Sequence, residues 1–289
     1  MTEKRGFSAG YEPLRAYVAM IRPALWRLGV GIALMVLVYM IGITVFFLAF
    51  AGVFDDPTGM GRTQLDVILF LGSFAVLILA VVLATLWPAG RPIATLIGSL
   101  PAARRDFWAV LRGIIPLMVL MFLCTIALDP TVSPHQTVME LLPWLPVALL
   151  ALLIQTGAEE LVFRGYIMAQ LAARFSHPMI WLGLPAILFG ALHYDPASYG
   201  AQAWIICLAT ALFALIAGDL TARTGNLGAA IALHFANNLF AMVLIGETGR
   251  MDGLSLYTMP MDLTDGVMLA AQFVFTIALW LAARLALRV

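Results

Sequence analysis

Hydrophobic positions along the chain form long, nearly uninterrupted runs, and polar residues cluster in the short stretches between them. A helix needs about 20 mainly apolar residues to cross a bilayer, because lipid offers the backbone no hydrogen-bond partner outside the helix. Eight segments qualify, near residues 28–54, 67–87, 106–128, 143–163, 178–194, 201–218, 227–246 and 266–287. The pattern therefore predicts an all-α, polytopic membrane helix bundle with about eight transmembrane helices.

The connectors between these spans are short and rich in turn-forming residues, so none of them is long enough to form a second folded domain. The turn residues are Asp55, Asp56, Pro57 and Gly59; Pro88, Gly90 and Pro92; Asp129, Pro130 and Pro134; Asp195 and Pro196; and Thr224, Gly225 and Asn226.

Composition and charge support a membrane protein. Hydrophobic residues make up 63% of the chain and charged residues only 11%, about half the charged fraction of an ordinary soluble domain. The 16 basic residues balance the 16 acidic ones, so no net field attracts nucleic acid.

The positions of the basic residues predict the orientation of the spans. With eight spans, connectors on one side contain Lys4, Arg5, Arg15, Arg22, Arg27, Arg91, Arg104, Arg105, Arg164, Arg174, Arg223, Arg284 and Arg288. The opposite side has only Arg62 and Arg250. Because Lys and Arg accumulate on the cytoplasmic side, we expect a multi-pass protein of the cell membrane with both termini in the cytoplasm.

Two adjacent carboxylates, Glu159 and Glu160, interrupt the hydrophobic pattern of the fourth span. Ionisable residues inside spans are costly and therefore candidates for function. Neighbouring helix positions point about 100° apart, whereas Glu160 and Arg164 lie one turn apart on the same side. We expect Arg164 to neutralise Glu160 and Glu159 to point into a cavity. The alternative is that both glutamates lie at the cytoplasmic end of the span and form salt bridges with Arg164 and Arg174.

Two further spans contain histidines in apolar surroundings. The fifth ends with Phe189 and His193 at positions i and i+4, so the aromatic ring can pack on the imidazole. The seventh places His234 and Asn238 one turn apart. Each pair alone also fits an ordinary interfacial histidine or interhelical hydrogen bonds.

Together, Glu-Glu-x-x-x-Arg at 159–164, Phe-x-x-x-His at 189–193 and His-x-x-x-Asn at 234–238 resemble the CPBP family. This family contains membrane peptidases similar to type II CAAX prenyl endopeptidases and to bacteriocin-processing or bacteriocin-immunity proteins. The resemblance covers roughly residues 143–245. It implies a peptidase core at 143–245, an N-terminal region of three spans at 1–142, and a C-terminal loop with the last span at 246–289.

The resemblance also implies roles for the site residues. Glu159 and His193 would activate water, and His234 with Asn238 would stabilise the oxyanion, while Glu160 and Arg164 complete the motif. This chemistry is physically reasonable, since peptide hydrolysis needs a base for water and buried donors for the developing negative charge. A lipid bilayer and a peptide or protein substrate, with lipidated substrates included, are the expected partners.

Three alternatives stay open. Two histidines and a glutamate are a common catalytic zinc set, so a zinc metallopeptidase is one, although no His-Glu-x-x-His helix is present and we favour a reaction without a cofactor. A proton- or ion-coupled transporter would also bury charges. A non-catalytic immunity scaffold on the same fold is the third.

The predicted spans place Glu159 in the inner half of its helix and His193 at the outer end of the next. The two side chains can meet only if the fifth helix is short, tilted or re-entrant, or if the helix boundaries between residues 143 and 200 differ from the predicted ones.

Overall fold

The computed structural model describes residues 10–21, 24–54 and 61–289. Several residues used above lie outside these ranges: Lys4, Arg5, Arg22, Asp55, Asp56, Pro57 and Gly59.

Within the described residues, the α-helices are α1 (Glu12–Val18), α2 (Leu25–Ala49), α3 (Gln64–Gly72), α4 (Ala75–Leu86), α5 (Leu100–Leu128), α6 (Val138–Leu141), α7 (Leu145–Glu160), α8 (Ala169–Arg174), α9 (Leu184–Ala191), α10 (Pro196–Tyr199), α11 (Ala203–Thr224), α12 (Gly228–Leu239) and α13 (Gly266–Leu287). Three π-helical segments extend them at Leu161–Met168, Met179–Gly183 and Phe240–Leu244, and short 3-10 turns lie at Ile93–Leu96 and Gly200–Gln202. The strands are β1 (Ser133–Pro134), β2 (Ile245–Glu247) and β3 (Tyr257–Met259).

The predicted all-α membrane bundle is confirmed, but the count of eight spans is not. Six helical stretches among the described residues are long and apolar enough to cross a membrane: Leu25–Ala49, Gln64–Leu86, Ile93–Leu128, Leu145–Arg174, Pro196–Thr224 and Gly266–Leu287. The fifth and seventh predicted spans are the shorter helices Met179–Ala191 and Gly228–Leu244. At 1.5 Å per residue, these reach only about 20 and 25 Å, less than the ~30 Å hydrocarbon core.

The end of the fourth predicted span was wrong. The prediction ended this span at residue 163 and placed Arg164 in a connector, whereas the helical stretch continues to Arg174. Arg164 is buried inside this stretch, because Glu160 and a backbone carbonyl accept its hydrogen bonds. A long fourth helix followed by a short fifth one removes the difficulty of bringing Glu159 and His193 together.

Helices α7, α9, α11 and α12 form the part of the bundle that positions the site. Helix α11 packs against α9 and α12, and α12 also packs against α5 and α7. The buried face of α12 is made largely of alanines, which allow membrane helices to approach closely. This close packing brings polar residues of different helices within hydrogen-bonding distance.

A small three-stranded sheet, which the sequence analysis did not predict, joins two connectors in the described part of the chain. Its strand order is β1-β3-β2. Strand β1 pairs antiparallel with β3 through Ser133 and Thr258, and β2 runs parallel to β3 with Ile245 opposite Tyr257. Because β2 follows directly after the helical stretch that ends at Leu244, the sheet anchors the end of that stretch.

Gly228 offers a first test of the packing between α12 and α5. A Cβ atom at this position would overlap the backbone carbonyl of Ala103. We expect Gly228→Ala to lower the free energy of unfolding by about 1–3 kcal/mol or more, because neither backbone can easily move away. Gly157→Ala is the matched control, since a Cβ at Gly157 meets nothing within 4 Å. Unfolding in detergent measures both variants, and equal stability would contradict the described contact.

Candidate active site

Glu159 and Glu160 are the last two residues of α7 and point in different directions. The Glu160 side chain is fully buried, whereas the Glu159 side chain is 13% exposed. This difference follows from the 100° step between neighbouring helix positions. Only the Glu159 carboxylate lines the cavity described below.

Glu160 forms the centre of a buried ionic cluster. Its Oε1 atom accepts a hydrogen bond from Arg164 Nη1 at 2.9 Å and another from His234 Nδ1 at 2.8 Å. Arg164 Nη2 donates to the carbonyl of Ala214 at 3.0 Å, and its guanidinium lies 5.2 Å from the ring centroid of Phe189. These contacts offset part of the cost of removing both charges from water, and Oε2 of Glu160 stays buried without a hydrogen-bond partner among the described residues.

His234 connects the two glutamates. A carboxylate can only accept, so the Nδ1 atom of His234 carries the hydrogen that Glu160 accepts. The Nε2 atom lies 3.5 Å from Oε2 of Glu159, and the ring centroid is 5.0 Å from that of Phe213. The i, i+4 spacing predicted a pairing of His234 with Asn238, and these contacts of His234 with both carboxylates were not predicted.

His193 lies just beyond the end of α9 and is oriented by the same helix. Its ring packs on Phe189 with centroids 4.8 Å apart, as the i, i+4 spacing predicts. The Phe189 carbonyl lies 2.8 Å from Nδ1, and because a carbonyl only accepts, Nδ1 carries the hydrogen. In the neutral ring this leaves Nε2 with a free lone pair, which can accept a proton.

A polar cavity of about 140 Å³ brings the predicted residues together. Its lining consists of Gln155, Glu159, Phe189, His193, Ala209, Thr210, Phe213, His234, Asn237, Asn238, Gln272 and Thr276. Four of the six predicted site residues therefore share one cavity. Glu160 and Arg164 do not line it. Glu160 contacts the lining residue His234, and Arg164 contacts the lining residue Phe189.

Sequence reasoning missed the other polar residues of this cavity. Gln155 lies four residues before Glu159, one turn away on the same face of α7. This spacing was the sequence signal that could have predicted Gln155 as a residue of the site. The remaining polar residues gave no comparable sequence signal, because they lie in apolar segments outside the three motifs. They are Thr210 on α11 and Gln272 and Thr276 on α13.

A cluster of charged and aromatic side chains holds the segment that follows His193. Arg250 Nη2 lies 2.8 Å from Oδ2 of Asp195, and the Tyr199 hydroxyl donates to Glu247 at 2.7 Å. Hydrogen bonds from Ser198 and Arg250 lower the pKa of Asp195 to about 2. The contact between Asp195 and Arg250 therefore stays ionic throughout the physiological pH range, because this carboxylate accepts a proton only as the pH falls towards 2.

The described residues contain no group of three or more His, Cys, Asp or Glu side chains placed to hold a metal ion. The zinc alternative rests on Glu159, His193 and His234, and an experiment with a chelator addresses it directly.

Comparisons with known proteins point to one family for the segment that carries the site. Residues 141–240 match the model of the family described as type II CAAX prenyl endopeptidase Rce1-like, which confirms the resemblance over this segment. The Bacillus subtilis protein described as "Uncharacterized protein YyaK" is 28% identical over 170 residues, which are 56% of each chain. The chain thus spans about half the length of this curated relative, and no solved structure matches it significantly.

Proposed function

Because residues 141–240 match the family model of type II CAAX prenyl endopeptidases, we propose that this multi-pass membrane protein is an intramembrane endopeptidase. In this proposal, Glu159 and His193 activate a water molecule that hydrolyses a peptide bond of a peptide or protein, lipidated substrates included. One observation carries the proposal: both side chains share a polar cavity with His234 and Asn238.

The cavity has room for the reacting groups. Its volume of about 140 Å³ compares with roughly 30 Å³ for one water molecule in the liquid. A water molecule and the peptide group that it attacks therefore fit side by side.

Water activation is assigned to Glu159 and His193. The water oxygen attacks the carbonyl carbon of the scissile bond, while the Nε2 atom of His193 accepts a hydrogen bond from the water and the Glu159 carboxylate takes the proton. The same group then returns the proton to the amine nitrogen as the carbon–nitrogen bond breaks. The products are a carboxylic acid and an amine, which exchange a proton to become a carboxylate and an ammonium group, so no oxidant or further reactant is needed.

Stabilisation of the oxyanion is assigned to His234 and Asn238. The Glu160 carboxylate accepts the Nδ1 hydrogen of His234 and so holds the ring with Nε2 towards the cavity, where a hydrogen on Nε2 can be donated to the oxyanion. Arg164 balances the single negative charge of the Glu160 carboxylate. Glu160 and Arg164 are positioning residues in this proposal, because they act through His234.

The proposal assigns the peptidase core to residues 143–245, with 1–142 and 246–289 supplying the surrounding helices. The proposal also includes the orientation predicted from the basic residues, which places the protein in the cell membrane with both termini in the cytoplasm.

Cleavage of a peptide library by the purified, detergent-solubilised protein tests this function. We expect the wild type to cleave peptides with a chelator present and the variant Glu159→Ala to be inactive, because the carboxylate rather than a metal activates water. Activity that disappears with the chelator and returns with zinc would establish the metallopeptidase alternative. Absence of cleavage by the wild type would favour a transporter or an immunity scaffold.

A further inference from the structure

The side-chain amide of Asn238 is held at both of its polar atoms. Its Nδ2 group donates to Oε1 of Gln155 at 2.8 Å, and its Oδ1 atom accepts from Nδ2 of Asn237 at 3.2 Å. Both contacts require the same orientation of the amide. The second hydrogen on Nδ2 remains for a partner in the cavity that Asn238 lines.

Gln155 is placed to control this orientation. It lies on α7, one turn before Glu159, and only 6% of the residue is exposed. Its contact joins α7 to α12 across 83 residues of sequence. Without the Oε1 acceptor, only the longer 3.2 Å hydrogen bond from Asn237 opposes rotation of the Asn238 amide. Rotation would present Oδ1 to the cavity, and this oxygen would repel an oxyanion.

We infer that Gln155 is a positioning residue of the peptidase: it orients Asn238 so that an amide hydrogen faces the oxyanion. This inference rests on the proposed function and extends it to a residue outside the three motifs. It predicts that the effect of Gln155 on the reaction passes entirely through Asn238. A Gln155 that only links two helices would affect stability instead, as polar residues in membrane bundles often do.

A double-mutant cycle separates these roles. We expect Gln155→Leu to lower kcat by about tenfold or more with little change in KM. The upper limit is the cost of losing an oxyanion donor, about 10²–10³-fold. In the Asn238→Ala background, the same substitution should have no further effect on kcat, because the amide that it orients is already absent.

Thr156→Val is the matched control. Thr156 is buried next to Gln155 and its hydroxyl bonds within α7 to the carbonyl of Leu152, outside the cavity. We expect wild-type kcat for this variant, since valine has nearly the same shape. If Gln155→Leu does not fold, Gln155→Met supplies a side chain of closer length, and failure of both variants to fold would overturn the inference by assigning Gln155 a structural role.

The outcomes distinguish this inference from the proposed function. Equal losses from Gln155→Leu in both backgrounds, or no loss in either, would overturn the positioning role while Glu159-dependent cleavage remains intact. A wild type without peptidase activity, or an active Glu159→Ala variant, would overturn the proposed function and this inference with it.

Discussion

Replacing Glu159 by glutamine is expected to abolish peptide cleavage while leaving the protein folded. Glutamine keeps the size of the side chain but cannot take a proton from water, so we expect kcat to fall by about 10²–10⁴-fold, the usual contribution of a general base. The free energy of unfolding should change little, because the Glu159 side chain is partly exposed to the cavity. Steady-state cleavage and unfolding in detergent measure the two quantities.

Glu160→Gln is the matched comparison, since it makes the same chemical change at the neighbouring position. This variant leaves the buried Arg164 without its ionic partner, so we expect it to lose stability as well as activity. A Glu159→Gln variant that retains more than about a tenth of wild-type kcat would contradict the assignment of Glu159 as the base. Equal losses of stability in both variants would contradict the different environments of the two carboxylates.

The sequence was sufficient to predict the helices and the three motifs because both depend on local spacing. Apolar runs located the six helical stretches that can cross a membrane, although they also counted two shorter helices as spans. The i, i+4 spacing anticipated the contacts of Glu160 with Arg164 and of Phe189 with His193. These features need only the geometry of one helix. The division of the chain at residues 142 and 245, the orientation in the membrane and the catalytic roles remain predictions.

Contacts between distant helices were beyond prediction, because they depend on how the helices pack. The end of the fourth helix was misplaced since a charged residue such as Arg164 normally marks the membrane surface. Its burial depends on the Ala214 carbonyl of α11, which lies 50 residues away. Gln155 lies four residues before Glu159, which the sequence shows, but its contact with Asn238 depends on how α12 packs against α7.

Removing the charge of Arg164 is expected to cause the largest loss of stability. Arg164→Met keeps an apolar side chain of moderate length but leaves the carboxylate of Glu160 buried without a cationic neighbour from its own helix. Breaking one partner of a buried ion pair typically costs about 3–5 kcal/mol, and we expect the free energy of unfolding to fall by this amount. Arg174→Met is the control, because Arg174 lies exposed at the end of the same helical stretch.

The double variant Arg164→Met with Glu160→Gln decides whether the pair itself is needed for stability. It removes both charges, so no uncompensated ion remains, and we expect it to recover most of the loss of either single variant. If the double variant recovers stability but not cleavage, the ion pair is needed for the reaction, where it orients His234. A double variant as unstable as the sum of the two single ones would show instead that the two residues stabilise the fold independently.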